Sequence, residues 1–276
     1  FLYGVTAPGL FNDEIPVAGM AGDQHAALIG QACLDAGMAK ATYGTGCFFL
    51  LNTGEQALSP EKGMLTTMAY RTGGRPIYAV EGSIFSAGAA LKWLRDRLGL
   101  IKDVSRTGTI AAELRGNDGV YLVPAFTGLG APYWDPDARG LICGLTLDSR
   151  AEHLVRAALE SAAYQTFDLM QAIMGGGPPR ALRVDGGMAG NDWFCQFLAD
   201  IIAAPVERPA MLEATAQGAA YLAGLTLGIF PDFAAISAAW VPGARFEPRM
   251  GTAERERLIA GWQDAIQRTL TRDRAR

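Results

Sequence analysis

The chain has 276 residues, half of them apolar, with a formal net charge of −4 and a sequence pI near 5.3. That length supports a large buried core in one or two domains, and the mild acidity gives no electrostatic footprint for nucleic acid or an anionic membrane. With two histidines, four cysteines lacking C-x-x-C spacing (Cys33, Cys47, Cys143, Cys195) and no apolar run of membrane-spanning length, no metal site, disulfide framework or membrane insertion is expected, and the chain reads as cytoplasmic.

The first residues, Phe1-Leu2-Tyr3-Gly4, are apolar and lack an initiator Met, so the chain reads either as one from which an N-terminal portion was removed or as a fragment of something longer. A short apolar run, Ile15-Pro16-Val17-Ala18, leads into Gly19-Met20-Ala21-Gly22-Asp23-Gln24-His25, which opens a predicted Ala-rich helix over 24–32. Backbone N–H groups at such a helix start are free to meet an oxyanion, and Asp23 is placed either as its N-cap or to meet a hydroxyl. Strands are predicted over 38–43 and 48–52 around the tight turn Gly44-Thr45-Gly46, then over 64–70 and 77–80. Residues 85–98 have helical spacing, with Leu91, Leu94 and Leu98 on one side. The segment 101–117 is polar, partly helical, and shows no chemistry. A strand over 120–123 runs into an ordered loop, 124–136, rich in Pro and aromatics, whose Trp134 is read as core.

A strand over 140–145 precedes a long helix from about 149 to 174, with Ser149 and Glu152 at capping-box spacing and His153 in a structural role; Gly175 to Pro179 ends it. A strand over 181–184 enters the turn Asp185-Gly186-Gly187, followed by a helix over 192–203, a strand over 205–207 and a helix over 214–227 whose small residues suit packing on a sheet. The last helix begins at Thr252, carries Leu258, Trp262, Ile266 and Leu270 on one stripe, and leads to a charged tail, 272–276. A strand cluster followed by alternating helix and strand describes an α/β nucleotide-binding domain with a mixed sheet flanked by helices. Its ligand site is expected at the carboxyl ends of the strands.

The glycine turns are the candidate ligand contacts. In Gly44-Thr45-Gly46 two N–H groups and a hydroxyl could face a phosphate, or the motif is a plain hairpin bend. Asp185-Gly186-Gly187 would let a flat ring lie on the backbone, or is a plain strand-to-helix turn. Gly88, inside a helix at a cost of about 1 kcal/mol against Ala, suggests close approach by another backbone or by a ligand. Neither a Walker loop nor a G-x-G-x-x-G fingerprint at a strand-to-helix junction is present.

Taken in this order, Ala21-Gly22-Asp23-Gln24, Tyr43-Gly44-Thr45-Gly46-Cys47-Phe48, Pro124 through Pro136, Gly140 through Leu145 with His153-Leu154 and Ala157 to Glu160, and Asp185-Gly186-Gly187 resemble the C-terminal half of the glycerol kinases, in the FGGY carbohydrate-kinase family. The resemblance covers essentially residues 1–276 and implies an actin-like ATPase (ribonuclease H-like) domain. It implies that ATP phosphorylates glycerol to sn-glycerol 3-phosphate with Mg²⁺, in a homo-oligomer (dimer or tetramer). By the same resemblance Asp23 is the catalytic base, Gln24 a partner of a glycerol hydroxyl, and Phe48 an apolar wall against the glycerol carbons. Thr45, Gly88, Lys92, Gly187 and Asn191 would line ATP or ADP; Lys92 stands where the family commonly has Gln. The loop Phe11-Asn12-Asp13-Glu14 is acidic where regulated members bind fructose bisphosphate, so that inhibition is not expected.

The family's N-terminal domain, which supplies the first phosphate loop, the carboxylate for Mg²⁺ and most of the glycerol clasp, is absent from this chain. The polypeptide alone is therefore expected to fold, bind nucleotide weakly and not turn over. The alternatives are a kinase of another polyol or a pentulose, since Gly22-Asp23-Gln24 would serve any primary hydroxyl, and a non-catalytic nucleotide-binding or oligomerisation module.

Overall fold

The computed structural model describes residues 1–60, 63–175, 177 and 179–271. The charged tail 272–276 and positions 176 and 178 of the expected helix stop lie outside the described residues. Two short strands, β1 (Gly4–Val5) and β2 (Pro16–Val17), pair antiparallel as a small sheet of their own, followed by α1 (Asp23–Gly30). Two hairpins come next, β3 (Ala39–Tyr43) with β4 (Cys47–Gly54) and β5 (Leu65–Thr72) with β6 (Arg75–Ile84). Helices α2 (Gly88–Asp96) and α3 (Thr107–Ala112) lead to β7 (Tyr121–Val123), which pairs with β8 (Leu141–Cys143) across the Pro-rich loop. The chain continues through α4 (Ala151–Met174), β9 (Leu182–Asp185), α5 (Asp192–Ile202), β10 (Val206–Pro209), α6 (Ala214–Thr226), α7 (Phe233–Ala239), β11 (Pro242–Phe246) and α8 (Thr252–Thr269).

Seven of these strands form one mixed sheet in the order β11-β10-β9-β3-β4-β6-β5, with β3, β9 and β10 parallel. Alternation along β3 divides its residues between two faces. Ala39, Ala41 and Tyr43 join Phe49, Leu51, Leu182 and Val184 in the main core, against α4 and α5. On the other face Leu50 packs against Leu28 of α1. α4 is buried almost all round between Val155 and Met170, as a helix inside a layered core must be.

Several expectations need correcting. The helix expected over 85–98 is α2, so Gly88 is its first residue and not an interior one, and Leu98 is 44% exposed. Ser149 does not cap α4: its Oγ accepts from Thr146 N at 2.9 Å, and Arg150 is the N-cap, its N–H donating to His153 Nδ1 at 3.0 Å. Because Nδ1 accepts, the His153 proton sits on Nε2, facing Asp118 Oδ2 at 3.0 Å, which is the structural role expected of it. α6 packs on α1 and not on the sheet. A Cβ at Gly218 would meet Ala26 O at 1.8 Å, and one at Gly30 would meet Ala214 O at 1.9 Å, so the two backbones touch. Trp134 is 41% exposed, with an edge contact to Phe85 at 6.1 Å, and is not core. The elements α7 and β11 were not foreseen, since Pro242 and Gly243 argue against a strand; β11 tolerates them at the sheet edge. Among the described residues no helix is long and apolar enough to cross a membrane.

Candidate functional site

A cleft of about 620 Å³ opens at the carboxyl ends of β3 and β9. Thr45 of the β3–β4 turn, Gly88 and Lys92 of α2, and Gly187 and Asn191 after β9 all line it, so five residues from three distant segments meet in one space. Local geometry explains why glycine is needed. Gly88 N donates to Gly44 O at 3.1 Å, and a Cβ at Gly88 would lie 2.5 Å from that oxygen, so another backbone accounts for the close approach. Gly186 has φ +84°, and a Cβ there would meet Tyr43 O at 2.4 Å. Gly187, by contrast, has nothing within 4 Å of a Cβ position, which leaves its backbone open to the cleft.

The expected phosphate contact at Gly44-Thr45-Gly46 is narrower than the sequence suggested. Gly44 N–H is spent on Gly46 O at 2.9 Å, and Thr45 O accepts from Ala87 N and Ala89 N. Thr45 remains exposed at the tip, and among the described residues its hydroxyl has no partner. Asn191 is also the N-cap of α5, its Oδ1 accepting from Phe194 N at 3.2 Å while Nδ2 reaches Thr107 Oγ1 at 3.3 Å. Arg208 pins the same turn, donating to Ala189 O at 2.8 Å and Asp192 Oδ1 at 2.7 Å. The segment read as chemically silent supplies Val104, Ser105 and Thr107 to the cleft, and Arg95 joins Lys92 one turn along α2. Arg95 was recoverable from helical spacing, whereas Ser105 and Thr107 carry no local signal.

Asp23, Gln24 and Phe48 do not line this cleft. β2 lies outside the main sheet, so the carboxyl-end rule does not place Asp23; the docking of α1 does. Gly22 is the N-cap of α1 and makes no side-chain cap bond, so Asp23 is not the cap. The exposed Asp23 carboxylate accepts from Gln24 N at 2.8 Å and Gln24 Nε2 at 3.4 Å, which leaves acceptor capacity for an incoming hydroxyl. One helix-start N–H is therefore used within the motif and not free. His25 turns away to Thr67 Oγ1 at 3.0 Å. Phe48, 41% exposed, lies opposite Thr42 in β3 and Ser83 in β6.

Beneath α1 the structure adds a buried polar group that the sequence reading missed. Lys40 is fully buried and donates to Gln24 Oε1 and to Thr42 Oγ1, the latter at 2.9 Å. Asp185, also buried, accepts from Gln31 Nε2 at 2.8 Å and is hydrogen-bonded by Thr42. Burial pushes the Lys40 ammonium below the usual lysine value, opposed by the Asp185 charge. Burial likewise raises the Asp185 carboxyl, opposed by Lys40 and by the Thr42 and Gln31 hydrogen bonds. Among the described residues no group of three or more His, Cys, Asp or Glu could hold a metal ion.

Beyond geometry, the model of the FGGY family of carbohydrate kinases, C-terminal domain, matches residues 39–227. The chain belongs to that family. Its mixed sheet between helices is the actin-like ATPase fold of FGGY kinases. The chain is 56% identical over 271 residues to the glycerol kinase of Gluconobacter oxydans, covering 98% of this chain and 53% of that protein. The glycerol kinase of Brucella ovis is 54% identical over 274 residues, covering 98% and 55%. This FGGY chain thus spans about half the length of the curated relatives it matches. Plasmodium falciparum glycerol kinase, solved with ADP, superposes with a TM-score of 0.87 at 40% identity, over 94% of this chain and 52% of that one. A xylulose kinase from Rhodospirillum rubrum, at 22% identity and TM-score 0.76 over 95% and 54%, shares the fold.

Proposed function

We propose that residues 1–276 are the nucleotide-binding half of an ATP-dependent glycerol kinase, which acts as a cytoplasmic homo-oligomer together with an N-terminal FGGY domain of the same protein. The convergence of Thr45, Gly88, Lys92, Gly187 and Asn191 on one cleft carries the nucleotide part of this reading. The relatives named glycerol kinase, at 54–56% identity, support glycerol as the acceptor. ATP would lie along the cleft, with its base against the open backbone of Gly187 and its phosphates toward Thr45. Glycerol would meet Asp23 and Gln24, with Phe48 against its carbons.

Phosphoryl transfer goes through a loose transition state, so the protein mainly positions groups and stabilises charge. A carboxylate is far too weak a base to strip an alcohol of its proton in advance. Asp23 can orient the hydroxyl and accept its proton late, as the new P–O bond forms. Mg²⁺ supplies charge neutralisation on the phosphates. In this reading its protein ligand comes from the N-terminal domain, as the family resemblance implies.

The test joins this chain to the N-terminal half of the Gluconobacter oxydans relative and measures ADP release. Glycerol-dependent release from the complete protein and none from the chain alone is the expected result. An ordinary rate from the isolated chain, or a preference for a pentulose over glycerol, overturns the reading.

A further inference from the structure

Lys40 is a costly residue to bury, and its neighbours in β3, Ala39 and Ala41, are apolar. Its contacts indicate what it does. An ammonium has three donors and no acceptor, so the edge of the Gln24 carboxamide that meets Lys40 Nζ must be the carbonyl. The NH2 of Gln24 is thereby turned outward, where Nε2 lies 3.4 Å from Asp23 Oδ2 and the backbone N–H holds Oδ1 at 2.8 Å. On its other side Lys40 donates to Thr42, which in turn bonds Asp185 at the head of the Gly186-Gly187 turn. One hydrogen-bonded strut, Asp185–Thr42–Lys40–Gln24–Asp23, therefore runs along the α1 face of the sheet, from the residue that precedes the Gly186-Gly187 turn to the exposed carboxylate.

We propose that Lys40 is a positioning residue for the transfer step: from beneath α1 it fixes the Gln24 carboxamide with its NH2 toward the acceptor, and through Gln24 it holds the Asp23 carboxylate. The proposal rests on the reading of Asp23 and Gln24 as acceptor-side residues. It makes Gln24 a donor toward glycerol, and it makes the geometry of Asp23 depend on a side chain that no substrate touches.

The side-chain carbonyl of Gln24 reports the contact without any turnover. In the chain as it stands, NMR is expected to show the Gln24 Cδ carbon shifted downfield of a free glutamine carboxamide, because its oxygen accepts from an ammonium. Lys40→Met, neutral and of similar length, should return that signal toward the free value. A free-glutamine Cδ signal in the unsubstituted chain overturns the proposal even if Lys40→Met fails to fold. So does an unchanged signal in a folded Lys40→Met.

In the complete protein, Lys40→Met should lower kcat/KM for glycerol about tenfold or more while KM for ATP stays within about threefold. An equal loss on the nucleotide side, or none on the glycerol side, overturns the proposal. A complete unsubstituted protein that does not phosphorylate glycerol overturns the proposed function instead, and the Cδ signal still decides whether Lys40 holds Gln24.

Discussion

Asp23 and Asn191 show how differently two short polar residues at helix starts are used. Asp23 is exposed, outside the cap position, and bonded within its own motif to Gln24, so its carboxylate is spare. Asp23→Asn in the complete protein should lower kcat by about a hundredfold or more, the loss expected when a general base is removed, with nucleotide affinity nearly unchanged. Steady-state kinetics beside nucleotide titration separates the two, and a kcat within a few-fold of the parent would mean another residue takes the proton. Asn191 is committed twice, to the α5 cap and to the cleft wall. Asn191→Ala should cost about 1 kcal/mol of stability through the lost cap and also weaken nucleotide binding. Urea unfolding and nucleotide titration of the same variant check both, and loss of only one confines Asn191 to that role. These side chains were legible because each belongs to a motif with its own local signature. Lys40 was not, because a lysine alternating with alanines reads as the solvent side of a strand.

The pairing of α1 and α6 depends on two glycines set where the helices cross. Gly30 and Gly218 leave no room for a methyl group: each Cβ would meet a carbonyl oxygen of the other helix under 2 Å away. Gly218→Ala must push α6 off α1 and should cost about 1–3 kcal/mol, the usual penalty for overpacking, despite the better helix propensity of alanine. α1 also carries Asp23, so the same variant should loosen the acceptor side more than the cleft, which it does not border. Thermal unfolding, with nucleotide affinity as the control, measures this, and an unchanged or raised Tm would show that the crossing has slack. From sequence, the small residues of α6 announced close packing but not with what. Helix periodicity fixes which residues share a face, whereas the partner of that face is a long-range choice.

Across the whole molecule, Asp168 of α4 ties the centre to the C-terminal helix and to the Pro-rich loop. Trp262 Nε1 of α8 donates to it at 2.7 Å, and Tyr133 also bonds it. Burial pushes its carboxyl up to about 7, so the folded protein keeps a proton that the unfolded chain releases nearer pH 4. A folded-state pKa above the unfolded one contributes stability that is present below about pH 4 and is lost as pH rises to about 7. Stability of the parent relative to Asp168→Asn should therefore decline over that window, by a few kcal/mol at most, and level off above it. Parallel denaturation curves for the two proteins from pH 4 to 8 would remove Asp168 as the cause.

What the sequence determined by itself was local. The strands that begin the main sheet, the long helices, the glycine turns and the motif around Asp23 all follow from periodicity, turn chemistry and motif order, which act over a few residues. What the tertiary structure decided was which turns meet. It set Ser105 and Thr107 beside Gly187, closed α6 onto α1 instead of the sheet, and folded α1 over a strand face that alternation would leave to water. Burial under α1 turned Lys40 from a surface cation into the strut beneath Gln24, because desolvation and hydrogen-bond direction belong to the packed molecule and have no counterpart in residue order.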